Sequence, residues 1–288
     1  MRKRGSYIIL FLVFLVGLGL LLYPTFSDWW NSFHQSRAIM NYTETVSNMN
    51  AEEYARIYNA AVEYNAKIPY RDNPFKLSPQ EKAEYNRTLD LGGGIMGFID
   101  IPVINVHLPL YHGTDDTVLQ TAIGHIEWSS LPVGGPGTHA VFSGHRGLPS
   151  ARLFTDIDKM VEGDLFKLNI LDEVLTYEVD QILIVEPIDI SSLQIVPGMD
   201  YCTLVTCTPY GINTHRLLVR GHRIANENLN DVRVSADSVQ IEPLFVAPLV
   251  GVPLLVLMIG LQFAGDRRRR KSDWDEWYER EIYFNNNV

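Results

Sequence analysis

Two uncharged apolar runs, residues 7–23 and 243–265, bracket the chain and confine any globular fold to what lies between them. Arg2, Lys3 and Arg4 precede the first run, and a basic cluster from Arg267 to Lys271 follows the second. A helix rising about 1.5 Å per residue covers roughly 25 Å over the first run and more over the second, close to the thickness of a bilayer's hydrocarbon core. No small-residue cleavage signature closes the first run. Tyr23-Pro-Thr-Phe-Ser-Asp-Trp-Trp30 stands there instead, so the run reads as an uncleaved anchor rather than a signal peptide. Because both basic clusters flank the runs on their outer sides, both termini are expected in the cytoplasm and residues 24–242 outside.

The expected organisation follows. Residues 1–6 form a cytoplasmic N-terminus and 7–23 a transmembrane anchor. Residues 24–66 are helical, 67–80 a loop and 81–235 a β-rich domain. Residues 243–265 form a second span, and 266–288 a cytoplasmic tail. The segment between the spans carries 15 Lys+Arg against 28 Asp+Glu, a formal charge of −13. So acidic a domain excludes nucleic acid as a partner.

Within residues 27–66, Ser27 or Asp28 is placed to cap one helix, and Asn50 with Glu53 resembles a capping box for another. Tyr54, Ile57, Tyr58, Ala61 and Val62 recur at helical spacing as a packing face. Three prolines, Pro69, Pro74 and Pro79, make the next segment extended and irregular. Phe75 is an odd residue for a solvated linker and points to a pocket. From Gly94 the pattern turns to short strands: 95–102, 103–111, 138–144, 165–170, 175–185, 201–206 and 216–222. Strands with Gly/Pro turns and little helix between them indicate an antiparallel barrel or sandwich.

The chemistry concentrates in Thr203-Leu-Val-Thr-Cys-Thr-Pro-Tyr-Gly-Ile-Asn-Thr-His-Arg-Leu-Leu-Val-Arg220, a strand, a turn and a strand. Side chains alternate along a strand, so Thr203, Val205 and Cys207 share one face, as do Arg216, Leu218 and Arg220. A hairpin then lets Cys207 and Arg216 look the same way. A nearby cation favours a thiolate and can hold a tetrahedral oxyanion. The chain has two cysteines and eight histidines. Cys202 lies five positions from Cys207 and faces oppositely, too far for a disulfide, and reads as a small buried hydrophobe. His145, flanked by glycines in Ser-Gly-His-Arg-Gly147, is the preferred acid/base. His125, His139, His215 and His222 read as structural or surface residues, and strand geometry splays Cys202, Cys207, His215 and His222 too far apart for a zinc site.

This hairpin, together with Ser130-Leu-Pro-Val-Gly-Gly135, Gly144-His-Arg-Gly-Leu-Pro149 and Leu153-Phe-Thr-Asp-Ile-Asp158, resembles the class C, pilin-assembling sortases of Gram-positive bacteria. The likeness runs from about Gly94 to Arg223. It implies a mostly β fold, a sortase-type closed β-barrel with N-terminal helices and two flanking transmembrane helices, and a trio of His145, Cys207 and Arg216. It further implies cleavage of an LPxTG-like sorting signal on pilin subunits through a thioacyl enzyme, and transfer to a pilin lysine amine, with no metal or organic cofactor. Membrane lipid is the other implied partner. The family carries a lid with an Asp-Pro-aromatic motif, and the matching stretch here is Asp72, Asn73, Pro74 and Phe75. An asparagine at 73 does not supply the charged contact to Arg216 that the family's aspartate offers. Two other readings stand beside this one: a sortase that anchors proteins to a cell-wall precursor, and a non-catalytic membrane scaffold that binds sorting signals.

Overall fold

The computed structural model describes residues 2–70, 75–226 and 277–278. The expected second span at 243–265 and three of the four lid residues, Asp72, Asn73 and Pro74, lie outside the described residues. Among the described residues one helix, α1 (Arg2–Ser47), is long and apolar enough to cross a membrane, over Phe11–Ser47.

Tyr23–Ser235 form a compact unit of their own. Neither Ser27 nor Asp28 starts a helix, because α1 runs through both and carries Pro24 inside it. The Asp28 carboxylate is engaged elsewhere: its Oδ1 accepts from the Arg152 backbone N–H at 3.0 Å. Asn31 Nδ2 donates to Ser150 O at 2.7 Å and Gln35 Nε2 to Thr121 O at 2.7 Å. Tyr42 OH donates to Met96 O at 2.9 Å and accepts from Leu171 N at 2.6 Å. These tertiary partners outweigh the one helical hydrogen bond that an internal proline removes.

Helix α2 (Ala51–Lys67) starts as expected, with Asn50 accepting from the Glu53 N–H at 2.9 Å. Ala61 and Tyr64 are buried, and Tyr54, Ile57 and Tyr58 pack on the same core. Val62 departs from the expected face and is exposed, since it lies about 100° around the helix from Ala61. Buried Asn65 takes part instead. Its Nδ2 donates to Leu131 O at 2.9 Å and its Oδ1 accepts from Leu131 N at 2.7 Å, tying α2 to the glycine-rich loop before β4.

The expected loop at 67–80 ends earlier, at Ser78. Helix α3 (Pro79–Tyr85) opens on a complete capping box of Ser78 and Glu81, with proline in its first turn. Tyr85 at its end is fully buried.

Eight strands follow: β1 (Ile95–Ile101), β2 (Val106–His112), β3 (Ile123–His125), β4 (Thr138–Ser143), β5 (Leu165–Ile170), β6 (Glu173–Val185), β7 (Asp200–Thr208) and β8 (His215–Ile224). Helix α4 (Asp116–Leu119) joins β2 to β3. The strands close into a barrel in the order β1-β2-β3-β4-β7-β8-β6-β5. The barrel is not wholly antiparallel, as the strand pattern had suggested, because β2/β3 and β4/β7 pair in parallel. Alternation sorts the side chains. Ala140, Phe142, Cys202, Leu204, Leu217 and Val219 belong to the main core. Val141, Val205 and Leu218 point the other way and form a second apolar cluster with Leu193, against which Trp128, Leu183 and Val185 pack.

Candidate active site

Strand β7 carries both cysteines, and both are free thiols. Cys202 has no exposure and belongs to the main core, where burial pushes its thiol pKa well up and keeps it protonated. Cys207, five residues on, alternates to the outer face with Val205 and is half-buried near the strand's end.

The return strand supplies the cation. Cys207 and Arg216 are direct Cα partners in the antiparallel β7/β8 ladder, followed inward by Val205 with Leu218 and Thr203 with Arg220. On its other side Arg216 is paired with Val185 of β6. The Arg216 Nη1 donates to two turn carbonyls, His215 O at 3.1 Å and Asn213 O at 3.3 Å. The guanidinium is therefore oriented by backbone at the start of β8, directly across the ladder from the thiol at the end of β7.

His145 reaches the same edge through the parallel pairing of β4 with β7. Ser143 stands opposite Val205, so the two strands leave the barrel together. Gly144 N donates to Val205 O at 3.1 Å, and Thr206 Oγ1 donates to Gly144 O at 2.7 Å. His145 is the next residue, and Cys207 is the residue after Thr206. A Cβ at Gly144 would lie 2.6 Å from Ile123 Cδ1 and 2.7 Å from Phe154 Cδ2, so a side chain there would push His145 off this register.

The segment beyond His145 is fastened at several points. Phe154 N donates to His145 O at 3.1 Å, and Gly147 N to Thr155 Oγ1 at 3.1 Å. Arg146 pairs with Asp158, donates to Thr208 Oγ1 at 3.3 Å, and stands 5.9 Å over the Tyr210 ring. Arg146 thus joins the histidine loop to the end of β7 and the hairpin turn. Arg146 and Asp158 stand in separate sequence motifs twelve positions apart, a separation that hides their pairing.

Of the expected lid, Phe75 is described. Its ring meets Trp128 edge-on at 5.3 Å, and Trp128 packs against the outer cluster that contains Val205. Both rings line a cleft of about 890 Å³ together with His139, Leu193, Gln194 and Pro197.

The histidines read as structural are so placed. His125 is fully buried, with Nδ1 at 2.9 Å from Tyr85 OH and Nε2 at 2.8 Å from Ser130 O, and burial depresses its pKa to about 3. His139 shares a hydrogen bond of 2.7 Å with Thr203 Oγ1 and another of 3.0 Å with Gln194 O, and burial again lowers its pKa. His215 is exposed at the start of β8, and His222 Nδ1 lies 3.9 Å from Asp180.

A family model described as the sortase domain matches residues 99–224, which takes in the whole of this edge. The solved structure of sortase C1 from Streptococcus agalactiae is 55% identical, with a TM-score of 0.65, and the match covers 66% of this chain and 100% of that one. Sortase C from Streptococcus pneumoniae is 45% identical, with a TM-score of 0.60, covering 66% of this chain and 97% of that one. Sortase D of Bacillus subtilis is 30% identical over 135 residues, 46% of this chain. The chain spans 65% of the length of that curated relative. With a closed barrel, a terminal β7/β8 pair of Cys207 and Arg216, and solved neighbours of class C, the chain belongs to the sortase family of cysteine transpeptidases.

Proposed function

We propose that this chain is a membrane-anchored transpeptidase that polymerises pilin subunits. The observation that carries the reading is the meeting of three chain segments at one barrel edge, with Cys207 opposite Arg216 and the parallel β4/β7 pairing bringing in His145. In this reading the Cys207 thiolate attacks the threonine carbonyl of an LPxTG-like sorting signal. The carbonyl oxygen takes up negative charge, and Arg216 stabilises that oxyanion. Collapse breaks the Thr–Gly C–N bond, His145 protonates the departing amine, and a thioester remains on Cys207. A lysine amine of the next subunit then attacks the thioester carbonyl, gives its proton to His145, and expels the thiolate as an isopeptide bond forms.

Pilin is favoured as the substrate by the class C neighbours. The Streptococcus pneumoniae structure is described as bearing on pilin substrate specificity. Anchoring is supported by α1 and by the basic residues Arg2, Lys3 and Arg4 that open it. The positive-inside rule places the barrel outside the membrane. In the same reading, residues 72–75 form a lid, and Phe75 closes the outer face near Cys207 from its seat on Trp128.

The test is incubation of the full chain, in detergent, with candidate pilin subunits. Ladders resistant to SDS, absent with Cys207→Ala, are the expected result. Coupling only to cell-wall peptide amines would replace pilin polymerisation with wall anchoring. Product formed by Cys207→Ala would remove catalysis from this site.

A further inference from the structure

Five aromatic side chains near the start of the compact unit, Tyr23, Phe26, Trp29, Trp30 and Phe33, are each more than half exposed. At about 100° per residue they fall in one sector of α1 roughly 120° wide. The residues that fasten α1 to the barrel, Asp28, Asn31, Gln35 and Tyr42, fall in a second sector about 180° away. One face of the helix is therefore committed to the protein, and the opposite face presents rings. Asp28 is the one Asp, Glu, Lys or Arg between positions 7 and 36, and it is turned to the barrel. The rings contact one another and their own helix: Phe26 lies 5.8 Å from Trp29, and Trp30 lies 4.7 Å from His34.

We propose that this aromatic face is a lipid-facing belt that straddles the outer boundary of the bilayer, from the edge of the hydrocarbon core into the headgroup layer. The proposal rests on the anchored reading above and adds to it which residues meet the outer surface and which way α1 is turned. Three features favour lipid over a protein partner. The face continues directly from the uncharged run at 7–23 in the same helix. That run covers only roughly 25 Å as helix, whereas carrying it on to Phe26 gives about 30 Å, the thickness of the hydrocarbon core. Trp29 and Trp30 then come roughly 5 Å further along, at headgroup depth, where rings with an apolar body and a polar N–H are favoured. Turning the only acid of the stretch to the barrel keeps charge off this face.

The experiment uses the full chain and a W29F/W30F variant, which keeps the rings but removes the indoles. Both are reconstituted in phosphatidylcholine vesicles that are plain, brominated high on the acyl chains, or brominated near the midplane. The difference in emission between the two proteins isolates Trp29 and Trp30, and flotation of each with the vesicles reports anchoring separately. The expected result is flotation of both proteins, with a loss of the difference emission that is larger for shallow than for deep bromines. Flotation without loss for either lipid overturns the belt while leaving the anchor intact. A W29C/C207A chain that then cross-links copy to copy would assign the face to a second copy. Failure to float overturns the anchored reading itself.

Discussion

Cys207 and Arg216 are direct cross-strand partners, nine positions apart in sequence and joined by one hairpin whose turn carbonyls hold the guanidinium. Direct partners in an antiparallel pair have Cα atoms about 4.5–5.5 Å apart, so the thiol and the cation share one end of the β7/β8 hairpin without any tertiary adjustment. Arg216→Ala is expected to lower the rate of sorting-peptide cleavage by about 100- to 1,000-fold, the range for losing one oxyanion donor. Arg216→Lys recovers little of this, because an ammonium lacks the planar fork that meets the turn carbonyls and an oxyanion together. Neither change should move the thermal midpoint much, since Arg216 is only half-buried. Equal loss of rate and stability would mean that Arg216 is a structural residue.

Thr206→Val tests how His145 is held. The hydroxyl is buried and donates to Gly144 O at 2.7 Å, and valine keeps the shape while removing the donor. Leaving that carbonyl unpaired is expected to cost about 1–3 kcal/mol in denaturant unfolding. Peptide cleavage should fall as well, since Gly144 fixes where His145 leaves β4. A variant that loses stability but keeps full activity would show that His145 is positioned by the Arg146 and Phe154 contacts alone.

His125 gives the fold an acid sensitivity of predictable sign. Its pKa is depressed to about 3 in the folded chain by burial, against about 6.5 unfolded. Above the unfolded value both states hold a neutral imidazole, and nothing is gained or lost. As pH falls below it, the unfolded chain takes up a proton that the folded chain refuses, so stability declines by up to about 1.4 kcal/mol per pH unit until the folded value is reached. His139, lowered by burial as well, adds in the same direction, while Asp200, raised by burial, offsets part of it at the acid end. Urea midpoints at pH 7.5 and pH 5 should therefore differ, and His125→Gln should flatten that difference while lowering the midpoint at pH 7.5. An unchanged pH dependence in the variant would place the acid sensitivity elsewhere.

The β7/β8 pair was legible in the sequence because strand alternation and a short turn fix both face and partner locally. The position of His145 was not legible in the same way. Its proximity to Cys207 depends on a parallel pairing across some sixty residues, and alternation carries no information on strand direction. Helix α3 carries its own signal, the capping box in Ser78-Pro-Gln-Glu81, but that signal stands amid prolines that point to irregular chain. Strand β3 was beyond reach, being three residues long and defined by its neighbours rather than by a pattern. Val62 lies off the packed face because that face turns toward Asn65, a buried polar residue that an apolar stripe does not show and whose partner lies 66 positions away.

Asn65 and Leu131 exchange both backbone-type hydrogen bonds, and Asn65→Ala removes both at once. The alanine leaves the buried N–H of Leu131 without this acceptor, at about 1–3 kcal/mol for a group that water cannot reach, while the Leu131 carbonyl keeps its bond from Val133 N at 2.8 Å. Asn65→Asp keeps an acceptor for Leu131 N but sets a carboxylate against Leu131 O, so it should be no better than alanine at pH 7. Both changes act on the loop that carries Trp128, the residue on which Phe75 rests. If that rest closes a lid, Asn65→Ala and Phe75→Ala should each speed alkylation of Cys207 by an uncharged thiol reagent, with Phe75→Ala doing so at unchanged stability. Alkylation at the parent rate in Phe75→Ala would remove Phe75 from any covering role, and would leave the Asn65 effect as one of stability alone.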